Sequence, residues 1–194
     1  MKKKLLAFVI SSAFAAPALA ANDSGLYLVG LAGSTANVSN VDNGQSFGGF
    51  FGYRFNEVAA VEAGMISLFD KANYLVPPVG YGGTGTYTST SLAGSEFAAV
   101  ISLPVSDYFS GFLRLGYAGM ERADNPSPAE VETKWAGSTY GAGMQFMLPY
   151  DFGVGGGKMQ IGFRAGYSVY NLTDPTGATT ISPSNAYVGG VIMF

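Results

Sequence analysis

The chain has 194 residues, enough for one domain with its own core, and only 12% of them are charged, about half the usual share. It contains neither Cys nor His, which excludes a disulfide framework, thiol chemistry and the commonest general base and metal ligand. The formal net charge is −3, and the sequence has no basic patch that would predict nucleic-acid binding. Beyond the N-terminus it also has no apolar run long enough to predict a membrane-spanning helix.

The first 20 residues predict a secretory signal peptide that is not part of the fold. Met1–Lys4 is a positively charged start, Leu5–Ala16 is a short apolar core, and Ala18-Leu19-Ala20 is a small-x-small cleavage site. We expect cleavage after Ala20, with Ala21 as the near alternative. Removing three lysines leaves 7 basic and 13 acidic residues, a net charge of −6.

The mature domain, residues 21–194, predicts eight antiparallel strands of about nine to twelve residues, joined by alternately long and short connections. The predicted strands are Gly25–Ser34, Ser46–Phe55, Val58–Phe69, Ala93–Leu103, Phe109–Met120, Lys134–Leu148, Lys158–Tyr170 and a last strand that ends at Phe194. Strands of this length match a tilted crossing of the hydrocarbon layer. The longest predicted connection, residues 70–92, would be unusual in a compact soluble domain but is expected of an extracellular loop.

The two faces of the predicted strands differ in polarity. On the second strand Phe47, Phe51 and Tyr53 lie on one face, and Gly52 and Arg54 lie on the other. The same division recurs along the chain, with the charges on the less apolar face: Arg54, Glu62, Glu96, Arg114, Lys158 and Arg164. A soluble barrel would have the opposite arrangement. Because a charge facing lipid at mid-membrane costs about 2–4 kcal/mol, these charges are predicted to face the lumen of a transmembrane β-barrel.

The last nine residues form a strand with an apolar face: Ala186, Val188, Gly190, Ile192 and Phe194. A strand at the chain end has unpaired backbone groups, which pairing with the first strand would satisfy by closing a barrel. An alternating last strand that ends in Phe is similar to the C-terminal signal by which Gram-negative outer-membrane barrels are recognised for assembly. Phe194 is therefore the expected assembly signal. The alternative is an edge strand of a soluble sheet, and fractionation would separate the two.

A short Gly-Tyr segment recurs at Gly52-Tyr53, Gly116-Tyr117 and Gly166-Tyr167. Together with Val61-Glu62-Ala63-Gly64 after the first short turn, these segments resemble the small outer-membrane barrels related to the OmpA transmembrane domain and to OmpX. The resemblance covers the mature chain in pattern and is to the barrel-only members. It implies an all-β fold, an eight-stranded antiparallel up-and-down transmembrane β-barrel, in the Gram-negative outer membrane. It also implies a monomer in contact with outer-membrane lipid and inserted by the outer-membrane assembly machinery.

Five inward charges predict an ion-pair network in the lumen: Arg54, Glu62, Glu96, Arg114 and Arg164. Arg54 and Glu62 flank the predicted two-residue turn Asn56-Glu57, so we expect them to be near-opposite neighbours. Glu96 and Arg114 share a face on the next strand pair. Charges removed from water must be paired, so this network is expected to fill the lumen. The alternative is that the same groups line a narrow porin-like path for small solutes.

The sequence predicts no enzyme, cofactor or metal site. Barrel enzymes of the outer membrane resemble families built around a catalytic His, which this chain lacks, and the pair Glu62 and Glu96 faces a lumen too narrow for polymers. The long loops are then the expected working surface, and the longest holds Tyr74, Tyr81 and Tyr87 among Gly and Thr. The family resemblance implies adhesion, resistance to host factors or envelope integrity, with a host-surface or extracellular ligand as partner.

Overall fold

The computed structural model describes residues 24–36, 44–76, 86–125, 131–154 and 157–194, and nearly all of these lie in β-strands. The signal-peptide prediction falls on residues outside this description. The strands are β1 Gly25–Ala36, β2 Gly44–Arg54, β3 Ala59–Val76, β4 Thr86–Ser106, β5 Phe109–Asn125, β6 Val131–Val154, β7 Gly157–Thr173, β8 Thr180–Ile181 and β9 Ser184–Met193. Within these ranges no helix is long and apolar enough to cross a bilayer.

Eight strands close into one antiparallel barrel, and the two-residue strand β8 adds a short pairing to β7. Each barrel strand pairs with its neighbours in sequence, and β9 pairs with both β7 and β1. Gly30 of β1 lies opposite Gly49 of β2 on one side and Gly190 of β9 on the other. The apolar end of the chain therefore has no open edge, and the predicted eight-stranded barrel is confirmed.

Several strands are longer than the sequence predicts. β3 and β4 remain paired as far as Val76 and Thr86, so much of the predicted loop 70–92 is strand. Likewise, β6 continues to Val154, through most of the predicted turn 149–157. Residues 86–91 are polar but contain Thr and Tyr and neither Gly nor Pro, a composition that favours strands. Apolar alternation predicts only the part of a strand that crosses lipid, whereas backbone pairing continues beyond it.

The apolar face of each strand points outward, as the alternation predicts. Met65 is 72% exposed and Phe163 is 60% exposed, whereas Glu62, whose side chain points into the lumen, is only 1% exposed. The side chains of Phe97, Leu115 and Val188 also point outward from their strands. Because these side chains surround the barrel, the surface that a soluble protein would bury here faces the membrane.

Large aromatic side chains fill the lumen by lying over glycines of the neighbouring strand. The ring of Tyr27 covers Gly52, and the ring of Tyr187 covers Gly166, in each case across a register pair. A Cβ at Gly52 would overlap the Tyr27 ring. This explains two of the Gly-Tyr segments, since Gly points inward to make room for a ring and the following Tyr points outward.

Gly52→Ala and Gly30→Ala test this packing as a matched pair. Gly30 faces outward with no atom near an added Cβ, whereas Gly52 lies under the Tyr27 ring. We expect Gly52→Ala to lower the free energy of unfolding by about 1–3 kcal/mol, because the added methyl overpacks the lumen. Gly30→Ala should change it by less than about 0.5 kcal/mol. Urea unfolding in lipid vesicles, followed by gel mobility without boiling, measures both, and equal losses would contradict the packing described.

Candidate functional site

Four charged side chains from four strands meet in the middle of the lumen, and we call them the lumen cluster: Glu62, Glu96, Arg114 and Arg164. Arg114 donates from Nε to Glu62 Oε2 at 3.0 Å and from Nη1 to Glu96 Oε1 at 2.5 Å. Arg164 donates from Nη1 to Glu62 Oε1 at 2.5 Å. The side chains are at most 5% exposed, so two cations and two anions balance each other away from bulk solvent.

Neutral side chains add hydrogen bonds to the lumen cluster. Tyr27 donates its hydroxyl to Glu62 Oε1 at 2.9 Å, and Tyr170 donates to Glu96 Oε2 at 3.1 Å. Gln145 Oε1 accepts from Arg164 Nε at 3.2 Å and from Nη2 at 2.8 Å. Buried charges need such additional partners, because pairing alone does not compensate for their lost hydration.

The two guanidinium groups also lie against aromatic rings. Arg114 Cζ is 4.5 Å from the centre of the Phe50 ring, and Arg164 Cζ is 4.8 Å from that of Phe112 and 5.9 Å from that of Tyr27. These distances fall within the range of cation–π attraction, which is strongest for desolvated groups. Arginine suits this position because its flat, weakly hydrated head can stack and donate at once.

The register places Arg54 one inward position away from Glu62. Arg54 lies opposite Ala60 and Glu62 lies opposite Gly52, so Arg54 and Glu62 share a face as diagonal neighbours and are not directly opposite. The connection between β2 and β3 spans residues 55–58, whereas the sequence predicted a two-residue turn. Asn56 Oδ1 organises it by accepting from the backbone N–H of Val58 and Ala59. Arg54 lies toward the end of the barrel where the short connections lie, which we call the short-turn end.

Sequence reasoning missed Tyr27, Tyr170 and Gln145, the neutral partners of the lumen cluster. Each occupies an inward position on its strand, and Gln145 is the register partner of Arg164. A search for inward polar groups near the charges would have included them. The prediction considered only formal charges, although hydrogen bonding in a dry lumen depends equally on neutral donors and acceptors.

Apolar side chains occupy the lumen between the cluster and the opposite end, which we call the long-loop end. This apolar layer consists of Leu68, Phe69, Leu92, Met120, Trp135 and Leu172, none of them more than 7% exposed. Leu68 and Phe69 are adjacent in sequence and both buried, because a register shift between Ser67 and Phe69 interrupts the alternation of β3. The expected polar filling therefore describes only part of the lumen.

A cavity of about 370 Å³ opens into the lumen at the short-turn end, and we call it the vestibule. Its polar and charged lining residues are Arg54, Glu57, Ser106, Asp107, Ser110, Gln145 and Gln160. A second space of about 10 Å³, room for about one water, lies deeper, between Arg54, Gln145 and the cluster residues Tyr27 and Arg164. The lumen is thus accessible from one end and closed by the apolar layer at the other.

A larger groove of about 770 Å³ lies mainly on the outer wall, and its lining also includes Gln145 and Arg164. It crosses β1, β9, β7 and β6 between outward rows that include Gly30, Gly190, Phe163 and Met144. In the part of the chain that the structure describes, no group of three or more His, Cys, Asp or Glu residues could hold a metal ion. The candidate site is therefore the lumen cluster with the vestibule beneath it.

The comparisons with known proteins agree with this architecture. A family model described as an outer membrane protein beta-barrel domain matches residues 6–194. The chain belongs to this family. The predicted resemblance to small outer-membrane barrels is confirmed, and the family implies a place in the Gram-negative outer membrane. Among curated proteins, none matches the sequence.

Solved structures of small outer-membrane barrels share the fold at low sequence identity. Neisserial surface protein A is 11% identical with a TM-score of 0.61, over 89% of this chain and 97% of that one. The attachment invasion locus protein Ail of Yersinia pestis is 14% identical with a TM-score of 0.53, over 88% and 97%. The N-terminal barrel domain of Pseudomonas aeruginosa OprF is 11% identical with a TM-score of 0.54, over 89% and 100%. Likeness at this identity shows the fold alone.

Glu62 and Glu96 are expected to differ in how much the fold depends on them. With Glu96→Gln, Arg114 and Arg164 each still bind a Glu62 oxygen, whereas Glu62→Gln leaves Arg164 without a carboxylate partner. We expect Glu62→Gln to cost about 3–5 kcal/mol of unfolding free energy, as for a broken buried ion pair, and Glu96→Gln to cost about 1–3 kcal/mol. Glu121→Gln, at an exposed site, is the control and should cost less than about 0.5 kcal/mol. Urea unfolding in vesicles checks the order, and equal costs at positions 62 and 96 would contradict it.

Proposed function

We propose that the protein is a closed surface barrel of the outer membrane, whose long-loop end binds a host-surface or extracellular ligand. The observation that supports this most directly is the apolar layer above the lumen cluster. An ion or polar solute that crossed it would lose most of its hydration against these apolar side chains, and the nearby neutral groups, such as the hydrogen-bonded pair Ser46 and Asn185, could replace only part of it, at a cost of several kcal/mol. A barrel that does not conduct leaves its exposed loops as the surface through which it can act.

One long-loop connection, residues 174–179, is held in a defined conformation. The Asp174 carboxylate accepts from the Thr176 hydroxyl at 2.9 Å and from the backbone N–H of Ala178 at 3.0 Å, and Gly177 provides the positive φ of 73°. Slight desolvation raises the pKa of Asp174, but the hydrogen bonds from Thr176 and from nearby backbone N–H groups outweigh it and lower the pKa overall. The loop is thus organised before binding, which reduces the entropy lost on forming a complex.

The charge of the long-loop end limits the chemistry of the ligand. By sequence, the long connections and the strand ends that lead into them hold seven acidic and three basic residues: Asp42, Asp70, Glu121, Asp124, Glu130, Glu132 and Asp174 against Lys71, Arg122 and Lys134. This balance repels polyanions. Ail, by contrast, was crystallised in complex with a heparin analogue, sucrose octasulfate. We therefore infer a neutral or cationic partner, contacted by Tyr, Thr and Gly of the longest connection.

We also infer that the chain is exported with removal of the signal peptide after Ala20 or Ala21. Its insertion by the outer-membrane assembly machinery would rely on Phe194. The Phe194 side chain lies on the outer wall and is 58% exposed, and its backbone N–H donates to the Leu26 carbonyl at 2.9 Å. The ring is therefore placed where an assembly factor or lipid can contact it. A closed barrel offers no strand edge to a second copy, which supports a monomer.

A narrow porin-like channel is the second candidate. The vestibule favours it, because polar space reaches from the short-turn end almost to Arg164 of the lumen cluster. Conduction would additionally require a path through the apolar layer. The closed barrel is preferred because Leu68, Leu92, Met120 and Leu172 are all buried and pack in one apolar cluster at that end of the lumen.

Planar-bilayer conductance separates the two candidates. We expect wild type and Arg114→Ala to form no large stable channels, because the apolar layer remains in both. The double variant Arg114→Ala with Leu92→Ser removes one side chain from the lumen cluster and one from the apolar layer, and it should increase ion leakage. The control is Arg114→Ala with Leu103→Ser, because Leu103 lies on the outer wall. Stable channels in wild type that are lost or shifted in Arg114→Ala would show that the channel function is correct.

Replacing the longest loop tests the binding surface. Because Val76 and Thr86 are register partners, an Asn-Gly turn in place of residues 77–85 can close the hairpin without changing the barrel. We expect folding, measured by gel mobility with and without boiling, to be unchanged and attachment to host cells to fall at least about tenfold. The same replacement of residues 125–130 between β5 and β6 is the matched control. Unchanged attachment in the first variant would exclude residues 77–85 as the binding site.

A further inference from the structure

The geometry points to the vestibule as a binding site for a small zwitterion, with its carboxylate at the floor and its ammonium group at the mouth. This site is at the short-turn end, opposite to the proposed binding surface of the loops, and does not depend on that proposal. Its volume of about 370 Å³ falls in the range of small-molecule sites. An α-amino acid or the end of a short peptide has the required pair of charges.

The orientation of Gln145 provides the first argument. Its Oε1 accepts two hydrogen bonds from Arg164, which has only donors, so the carboxamide cannot be turned the other way. The NH2 group consequently points away from the cluster, where Nε2 lies 3.4 Å from the sulfur of Met147. Met147 lines the vestibule, and thioether sulfur is a weak acceptor.

This arrangement leaves a strong donor at the floor of the vestibule. Gln145 is only 6% exposed, so bulk water does not satisfy its NH2 group as it would on an open surface. A buried donor with only a weak acceptor is costly, and an oxygen acceptor that enters the vestibule would relieve that cost. A carboxylate is the strongest such acceptor among common ligands.

The distribution of charge provides the second argument. Arg54 and Gln145 line both the vestibule and the deeper space beneath the cluster, so a cation and an amide donor lie at the inner end. Glu57 and Asp107 belong to two of the short connections at the mouth, and both are exposed. Among the side chains that the structure describes around the vestibule, the cation therefore lies inside and the carboxylates lie at the rim, which orients a zwitterion in one direction.

The apolar layer decides how such a ligand enters and leaves. Because the lumen is closed toward the long-loop end, the vestibule is blind, and exchange occurs only through the short-turn end. The site would take up a ligand from the compartment on that side and release it to the same side. Binding without transfer across the membrane is the expected behaviour.

A titration of the folded protein in lipid nanodiscs with alanyl-alanine tests the site. Binding is measured by the NMR shift of the Gln145 side-chain amide. The N-acetylated and the C-amidated dipeptides are the matched probes for the two charges. We expect the free dipeptide to bind at least about tenfold more tightly than the amidated one, and more tightly than the acetylated one. Free alanine and tetra-alanine distinguish an amino-acid ligand from a peptide end. Equal binding of free and amidated dipeptide, or no shift at about 10 mM, would overturn the proposal.

Variants locate the binding in the vestibule. Gln145→Glu keeps an acceptor for Arg164 but replaces the NH2 donor by a negative charge. We expect its affinity for the free dipeptide, measured through the backbone amide shift of Ser110 in the cavity wall, to fall at least about tenfold. The double variant Glu57→Gln with Asp107→Asn should lower the affinity for the free dipeptide several-fold and leave the affinity for the acetylated dipeptide unchanged. Glu121→Gln, the same change at the long-loop end, is the control. Binding that survives in Gln145→Glu, with folding verified by gel mobility, would place the ligand elsewhere and refute the site.

Discussion

Glu62 binds a different guanidinium group with each of its carboxylate oxygens, and the packing of the lumen depends on this double contact. Through it, β3 is linked to β5 by Arg114 and to β7 by Arg164. These strands are not neighbours in the barrel wall, so the contacts run across the lumen rather than along the sheet. Backbone pairing closes the cylinder, but only such cross-lumen contacts fix its interior. The Tyr27 hydroxyl on Glu62 adds a fourth strand to the same point.

The interior combines two solutions to the problem of filling a narrow barrel. Around the lumen cluster, charges are neutralised in pairs and the aromatic rings of Phe50 and Phe112 cover the guanidinium groups. Toward the long-loop end, the apolar layer packs as the core of a soluble protein would. The two regions support each other, because the apolar layer excludes water from the cluster and thereby strengthens its electrostatic attraction. The membrane contributes nothing to this interior, and lipid only covers the outward rows.

The sequence was sufficient to predict the barrel because lipid imposes a strict rule on outward positions. Met65, Phe97 and Phe163 could be assigned to the outer wall from alternation alone, and Phe194 indicated closure with the first strand. Inward positions obey no comparable rule, since any combination of side chains that fills the space is acceptable. The first short connection was predicted too short, because Asn56-Glu57 was taken as the whole of a connection that spans residues 55–58. Leu68 and Phe69 were missed as a packed layer because a register shift, which alternation cannot reveal, turns both of them inward.

The unequal ends of the barrel follow from how far the strands extend beyond the lumen cluster. Toward the long loops, β3 and β4 supply Leu68, Phe69 and Leu92 to the apolar layer, and their backbones stay paired as far as Val76 and Thr86. Toward the short turns, β2 ends at Arg54 and β3 begins at Ala59, so few inward positions remain and open space is left. A small polar molecule can therefore meet the inner charges only from the short-turn side, whereas a ligand at the other end meets only loops. Because the apolar layer lies between the two ends, residues at one end can be exchanged without disturbing the contacts of the other.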